Sequence, residues 1–247
     1  MAGHSKWKQI KRKKAVTDQR RGAHFTKLIK EITVAAKSGG GDPAGNARLR
    51  VAIEAARNAN MPADNIDRAV KKGTGELEGV HYEEVTYEGY GPGGAAIFIE
   101  VTTDNPNRSV ADIRHLFTRW GGNLGTSGSV AWMFDKRGQI EVDATRFDED
   151  ATMEAALEAG ALDMTREGDA FVITTGVTDF HAVQDSLRRA KVASDSAEVV
   201  MVPKSSVKVE GGDAAKLVKL VEALEEHDDV SRVSSNFDVD LEALAEV

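Results

Sequence analysis

The sequence predicts an α+β protein in which an N-terminal helical bundle precedes two ferredoxin-like α/β-sandwich domains, one inserted in the other. Three observations predict this class. Apolar residues recur every three to four positions up to about residue 75, and from Tyr82 onward short apolar runs alternate with a period near two. Helices and strands then follow in the order β-α-β-β-α-β, which is typical of ferredoxin-like domains. The 247 residues, 41% of them hydrophobic, are enough for two or three domains.

A dense basic run begins the chain. Between residues 5 and 14 the cationic side chains are Lys6, Lys8, Lys11, Arg12, Lys13 and Lys14, and no acidic residue lies among them. Such a run repels itself and is too polar to fold alone, so it needs an anionic partner. A nucleic-acid backbone carries closely spaced negative charges and is the partner we expect. A solvated tail without a partner is the alternative interpretation.

Charge is segregated along the chain. Residues 1–75 hold 17 Lys and Arg against 6 Asp and Glu, a net charge of +11, whereas residues 76–247 hold 15 against 34, a net charge of −19. This asymmetry indicates a basic module that faces nucleic acid, attached to an acidic body that phosphate would repel.

Three short helices are predicted in the basic part. The apolar stripe of the first, over about residues 19–37, consists of Phe25, Leu28, Ile29, Ile32 and Ala36. The stripe of the second consists of Leu49, Ala52, Ile53 and Ala56, and that of the third of Ile66, Ala69 and Val70. The third helix opens at Pro62 or Asp64. One apolar stripe on each helix predicts a small bundle, which we assign to residues 1–78.

The acidic part is predicted to contain two mixed units. Strands at 84–88 and 96–102 flank a Gly-rich turn, a helix ends near Trp120, and strands at 130–134 and 139–143 flank a second turn. Residues 139–202 then complete one β-α-β-β-α-β order. The segments at 95–134 and 205–234 supply a second such order, split by the first. We therefore expect an inserted domain at 135–203 within a domain of 79–134 plus 204–247. Two independent halves in series are the alternative.

Residue patterns that mark enzymes and cofactor sites are missing from the sequence. There is no Cys, and the six His residues show no metal-ligand spacing. The Gly-rich segment 91–94 is not followed by the Gly-Lys-Ser/Thr of a nucleotide P-loop, so it is a turn or an anion-binding nest. We expect a protein that is not an enzyme and has no cofactor, metal or small-molecule substrate. Since no apolar run approaches the roughly 20 residues of a membrane span, we also expect no membrane partner. The absence of Cys does not fix the compartment, but it fits a reducing cytosol, so the expected location is cytoplasmic.

The candidate nucleic-acid-binding residues all lie in the basic part. They are His4, Lys6, Trp7, Lys8, Lys11, Arg12, Lys13, Lys14, Arg20, Arg21, Lys27 and Lys30. Trp7 is open to two interpretations, because an aromatic ring within a basic run can stack on unpaired bases or can pin the tail to the bundle.

Five short motifs together resemble the YebC/PmpR family. They are Gly-His-Ser-Lys-Trp at 3–7, Lys-x-Lys-Lys at 11–14, Gly-x-Gly-Pro-Gly-Gly at 89–94, Thr-Asp-Asn-x-Asn-Arg at 103–108 and Gly-Ser-Val-Ala-Trp-Met-Phe at 128–134. The resemblance implies a three-lobed, cytoplasmic regulator of gene expression, long labelled a DNA-binding transcriptional regulator. A mitochondrial relative, the translational activator of cytochrome oxidase, extends the implication to translation factors that act at the ribosome.

Two classes of function follow from these observations. The first is a nucleic-acid-binding regulator acting on DNA, on ribosomal RNA or on both, with the ribosome as a partner. The second is an interaction scaffold whose acidic domains bind protein. The charge segregation favours the first class. The basic run is rich in Lys, which acts on phosphate as a point charge, so we expect modest DNA specificity and structured RNA as an equal or better partner.

Overall fold

The computed structural model describes residues 19–239, and it confirms the α+β class that the sequence predicts. The described residues divide into two compact units. The smaller unit contains Trp132–Ser206 and Ser234–Asp238, and the larger unit contains residues 19–131, Val207–Val233 and Val239. Both units are therefore discontinuous in sequence.

Three helices open the larger unit, and they match the three predicted from the apolar spacing. They are α1 (Gln19–Gly39), α2 (Ala47–Asn58) and α3 (Ala63–Thr74). Asn46 caps α2, because its side chain accepts a hydrogen bond from the Leu49 backbone N–H and donates to two carbonyl oxygens at the end of α1. The apolar stripes meet in one core made of Ile32, Ala35, Ala36, Leu49, Ala52, Ile53, Ala56, Met61, Ile66 and Ala69.

Gly73 lets α1 and α3 approach closely. A Cβ atom at this position would lie 2.4 Å from the Thr33 carbonyl oxygen and 2.7 Å from the Ala36 Cβ. Because both distances are shorter than van der Waals contact, only glycine fits here, and any side chain would push the two helices apart.

A four-stranded sheet with two helices forms the rest of the larger unit. Its elements in chain order are β1 (Glu83–Tyr90), β2 (Ala96–Thr103), α4 (Pro106–Arg119), β3 (Asn123–Leu124) and, after the smaller unit, β8 (Val207–Lys208), α7 (Gly211–Glu226) and β9 (Val230–Ser235). The strand order is β3-β1-β2-β9, and β1 pairs antiparallel with β2 so that Gly89 faces Ile97. The split sheet thus has the chain order β-β-α-β followed by α-β, which differs from the expected β-α-β-β-α-β.

The segment after α4 accounts for this difference. Residues 130–134 were expected to form a strand, but Ala131–Met133 is a 3-10 turn, and β3 pairs with β1 instead. The carboxylate of Glu88 accepts the backbone N–H groups of Gly128, Val130 and Ala131, each at 2.7 Å. Burial alone would raise the pKa of Glu88, but these three hydrogen bonds together outweigh burial and lower it. A charged acceptor therefore takes the N–H groups that a strand would have used for pairing.

The smaller unit has the predicted ferredoxin-like order. Its elements are β4 (Phe134–Asp143), α5 (Glu149–Glu158), β5 (Ala161–Glu167), β6 (Ala170–Thr175), α6 (Phe180–Arg189) and β7 (Ser194–Pro203), and β10 (Phe237–Asp238) is also assigned to this unit. The strand order is β5-β6-β4-β7 with antiparallel pairing. The two helices bury one core with the sheet, and it includes Ile140, Val142, Phe171, Ile173, Phe180, Val183 and Leu187.

The predicted turn at 135–138 is instead part of β4, which runs without interruption through Gly138. A Cβ atom at Gly138 would lie 2.2 Å from the Thr175 Oγ1 and 2.4 Å from the Phe180 ring. Glycine here serves close packing of α6 on the strand and does not mark a turn.

A buried ion pair joins the helical bundle to the sheet of the larger unit. The Lys30 Nζ of α1 lies 2.6 Å from the Asp229 Oδ1, and the two side chains are only 8% and 4% exposed. Lys30 also donates to the carbonyl oxygens of Asp228 at 2.9 Å and Thr102 at 3.2 Å. All three donors of the ammonium group are therefore used within the protein.

Asp229 is held by further donors from the end of β2 and the start of α4. Its Oδ2 accepts hydrogen bonds from Arg108 at 2.8 Å, from Ser109 Oγ at 2.7 Å and from Thr103 Oγ1 at 3.1 Å. Burial by itself would raise the pKa of this carboxyl. Hydrogen bonds from Arg108, Lys30 and Ser109 outweigh burial and hold the pKa well below its usual range.

We expect Asp229→Asn to lower the free energy of unfolding by about 3–5 kcal/mol, because it leaves the Lys30 ammonium buried without a counter-charge. The pKa of Asp229 is lower in the folded than in the unfolded chain. Its contribution is therefore complete above about pH 4 and is lost as the pH falls through the folded value. Urea unfolding of both proteins from pH 7 down to about pH 2 measures this, and the difference in stability between them should begin to shrink below about pH 4.

The matched control is Asp67→Asn, which breaks the exposed pair with Lys71 in the same unit. An exposed pair is screened by water, so this variant should unfold close to the parent protein. An equal loss of stability in both variants would contradict a special role for the buried pair.

We propose that the predicted domains 1–78, 79–134 plus 204–247, and 135–203 are the folding units of the chain. The expected result is that residues 132–206, expressed alone, protect the amides of the central strands β4 and β6 from hydrogen exchange. Residues 79–131 alone, which lack α7 and β9, should show little protection. Uniformly unprotected amides in the 132–206 fragment would reject this layout.

Candidate nucleic-acid interface

Most of the predicted nucleic-acid-binding residues lie at the start of the chain. The positions outside the described residues are His4, Lys6, Trp7, Lys8, Lys11, Arg12, Lys13 and Lys14. Arg20 and Arg21 lie in the first turn of α1. The described members of the predicted set therefore all lie within α1.

The two lysines of α1 in the candidate set point into the protein. Lys30 is 7% exposed and its ammonium group has no free donor, because Asp229, Asp228 and Thr102 accept all three hydrogen bonds. Lys27 is half-buried and donates to the Glu225 carbonyl oxygen at the end of α7. Both lysines attach α1 to the rest of the larger unit, and Lys30 could reach a phosphate only after its buried pair was broken.

Arg48 of α2 is neutralised by two carboxylates. Its guanidinium donates to Glu31 at 2.8 and 3.0 Å and to Glu84 at 3.1 and 2.6 Å, a doubly bidentate arrangement. Hydrogen bonds to Glu84 and then Glu31 raise the pKa of Arg48. The charge of this arginine is thus matched inside the protein, and it adds little to an anion-binding surface.

Four other cations of the bundle are exposed to solvent. They are Arg50, Arg57, Arg68 and Lys72, and none has an ion pair with another described residue. Arg50 and Arg57 are seven residues apart and lie on one face of α2, and Arg68 and Lys72 are four apart on α3. These residues were not in the predicted set, although their helical spacing away from the apolar stripes was visible in the sequence.

We group the four exposed cations Arg50, Arg57, Arg68 and Lys72 under the name α2–α3 basic surface. Lys71 lies beside it and pairs with Asp67 at 2.8 Å. Such a surface can contact phosphate oxygens without any rearrangement of the bundle, because its side chains stand on rigid helices and face water.

Across residues 19–239, no three His, Asp or Glu side chains come together in a way that could hold a metal ion. None of the helices in the same range combines the length and the apolar character that a membrane crossing requires.

Comparison with known proteins gives matches along nearly the whole chain. Residues 5–76 match the TACO1/YebC protein N-terminal domain, and residues 82–237 match the TACO1/YebC second and third domain. A protein of Gemmatimonas aurantiaca, named a probable transcriptional regulatory protein, is 58% identical over 246 residues, which is 100% of both chains. A protein of Chlorobium luteolum with the same name is 55% identical and covers 99% of this chain and 98% of its own.

A solved structure has the same fold. The crystal structure of a conserved hypothetical protein from Aquifex aeolicus superimposes with a TM-score of 0.86 at 46% sequence identity, covering 92% of this chain and 94% of that one. The family resemblance carried by the five sequence motifs is therefore confirmed, and the chain belongs to the TACO1/YebC family.

Proposed function

We propose that the chain is a non-enzymatic, nucleic-acid-binding regulator of gene expression that holds the phosphate backbone through its basic N-terminal domain. The observation that carries the proposal is the α2–α3 basic surface, whose four cations are exposed within a segment of net charge +11. The names of the Gemmatimonas and Chlorobium relatives, probable transcriptional regulatory protein, support a regulatory role.

The proposed contact surface combines two parts of the basic domain. One is the lysine-rich run from Lys6 to Lys14 with His4, Trp7, Arg20 and Arg21, and the other is the α2–α3 basic surface. Lys30 and Lys27 are left out, because their ammonium groups donate to acceptors within the larger unit. The acidic remainder of the chain, with net charge −19, would be repelled by phosphate. Binding of nucleic acid is therefore confined to the basic domain.

Structured RNA, including that of the ribosome, is proposed as a partner at least equal to DNA, and the cytoplasm as the place of action. The exposed cations suit phosphate better than base edges in a duplex, because they stand singly along two helices. Backbone contacts position a protein on nucleic acid without reading its sequence. DNA binding of this kind is largely non-specific, and it is compatible with a regulatory role in transcription or in translation.

The first test of the phosphate-binding proposal is salt dependence. Each phosphate that is contacted contributes about −0.7 to −0.9 to the slope of log K against log salt concentration. We expect the double variant Arg68→Gln, Lys72→Gln to weaken binding of a structured RNA and to make the slope less steep by about 1–2, as measured by fluorescence anisotropy.

The control for the salt experiment is Arg189→Gln, which removes one exposed cation at the end of α6 in the smaller unit. It should leave the slope unchanged. If the control shifts the slope as much per charge removed as the double variant does, binding responds to net charge alone and the assignment to the basic domain fails.

The second test is a competition at near-physiological salt among a promoter fragment, a scrambled fragment and purified ribosomal subunits for labelled protein. We expect the two DNA fragments to compete almost equally and the subunits to compete at least as well. A promoter advantage of about a thousandfold, as in specific DNA-binding proteins, would contradict the RNA assignment. Protein that binds neither DNA nor subunits would favour the protein-interaction scaffold.

A further inference from the structure

A cleft of about 270 Å³ lies along α2, and two of its lining residues, Arg50 and Arg57, belong to the α2–α3 basic surface. It is lined by Pro43, Ala44, Arg50, Ile53, Glu54 and Arg57. Sites for drug-sized ligands usually occupy about 300–1,000 Å³, so this cleft suits a smaller group such as a single ring system.

The polar residues of the cleft are not satisfied by one another. Arg50 and Glu54 are four residues apart and Glu54 and Arg57 are three apart, which is the helical spacing at which opposite charges usually pair. Among residues 22–239, however, Glu54 makes no ion pair with either arginine. Arg50 donates one hydrogen bond to the Pro43 carbonyl oxygen at 3.3 Å, which fixes it at one end of the cleft. The Glu54 carboxylate and the Arg57 guanidinium are thus left for a ligand.

The remaining lining residues are apolar. Pro43 and Ala44 come from the loop before α2, and Ile53 is 8% exposed and belongs to the core of the bundle. A flat ring could lie against such a surface while a guanidinium plane stacks on its other side, as arginines do with unpaired bases. The cleft thus offers an apolar wall with one carboxylate between two guanidinium groups.

We propose that this cleft binds an unpaired guanine base, an inference that rests on the proposed nucleic-acid-binding function. Guanine alone among the four RNA bases has two adjacent donors on its Watson–Crick edge, N1–H and N2–H, which one carboxylate accepts together. Its O6 and N7 atoms are acceptors that suit an arginine. Adenine, cytosine and uracil each place an acceptor beside the donor on this edge, and that acceptor would face the Glu54 carboxylate unfavourably.

Glu54 distinguishes base recognition in the cleft from the general electrostatic attraction of the basic domain for phosphate. Glu54 is an exposed acidic residue in a surface that attracts phosphate, so electrostatics alone makes it unfavourable for binding of any nucleic acid. Base recognition makes it favourable, but only for guanine whose Watson–Crick edge is free. Guanine within a duplex has this edge occupied by cytosine and gains nothing from Glu54.

The test uses full-length protein and labelled single strands of twelve nucleotides. Each strand is uridine-rich with two central guanines or two central adenines, and each is made as RNA and as DNA. We expect the parent protein to prefer the guanine strand about tenfold. Glu54→Gln should remove this preference by weakening guanine binding about tenfold, while adenine binding stays equal or tightens, because an amide can pair with adenine N6 and N7.

Glu78→Gln is the matched control, since Glu78 is an exposed carboxylate of the same unit outside the cleft. It should leave the preference for guanine unchanged. A guanine preference in both RNA and DNA, or in RNA alone, supports the proposal, and the second result adds a contact to the 2′-hydroxyl group.

Two results would overturn the inference, and they are distinguishable. If Glu54→Gln tightens binding of guanine and adenine strands equally, the carboxylate acts only as a repulsive charge; the cleft is then not a base site, although the proposed function stands. If the parent protein binds neither the single strands nor structured RNA, the cleft proposal fails together with the proposed function.

Discussion

The buried contact between Lys30 and Asp229 is the constraint on which the arrangement of the larger unit depends. It joins the first helix to the loop before the last strand of the sheet, and the two residues are 199 positions apart. An ammonium group with 8% exposure is stable only beside a counter-charge. During synthesis, the bundle is completed long before residue 229 is made, so its contact with the sheet must form late. Any product truncated before Asp229 would leave Lys30 without its carboxylate.

The same network explains one of the family motifs. Residues 103–108 could be taken from the sequence as a polar binding loop, but Thr103 and Arg108 donate to the buried Asp229 carboxylate. Asn105 caps α4 by accepting the backbone N–H of Arg108. A polar motif on a loop often indicates function. Here the described contacts are satisfied within the unit, and the motif holds the start of α4 against the sheet.

Much of the fold could be predicted from the sequence because the apolar spacing of helices is local. The stripes of α1, α2 and α3 and the order of the smaller unit follow from such spacing. The uninterrupted strand β4 could not be predicted, because Gly138 suggests a turn unless the nearby Phe180 ring is known. The 3-10 turn at Ala131–Met133 depends equally on a distant group, the Glu88 carboxylate.

The candidate site was harder to predict than the fold, since a cation's availability depends on its partners. Arg48 and Arg50 are two residues apart and indistinguishable by type, yet Arg48 is neutralised by Glu31 and Glu84 while Arg50 borders an open cleft. Lys30 lies between Ile29 and Glu31 in the sequence, and only the three-dimensional structure shows it buried. Charge density alone therefore overestimates the number of cations that α1 can offer to nucleic acid, and it overlooks the available cations of α2 and α3.

The pairing of β4 with β7 has a consequence for how the sequence can change in evolution. Phe134 faces Pro203 in the antiparallel register, so the segment 134–203, which forms most of the smaller unit, starts and ends within about one strand spacing, roughly 5 Å. For the chain on either side, this segment therefore connects two nearby points, as a short hairpin loop does. Insertions, deletions and changes of charge inside it need not alter the geometry at the two junctions. Such an attachment lets the segment 134–203 diverge in sequence while the larger unit keeps its own packing.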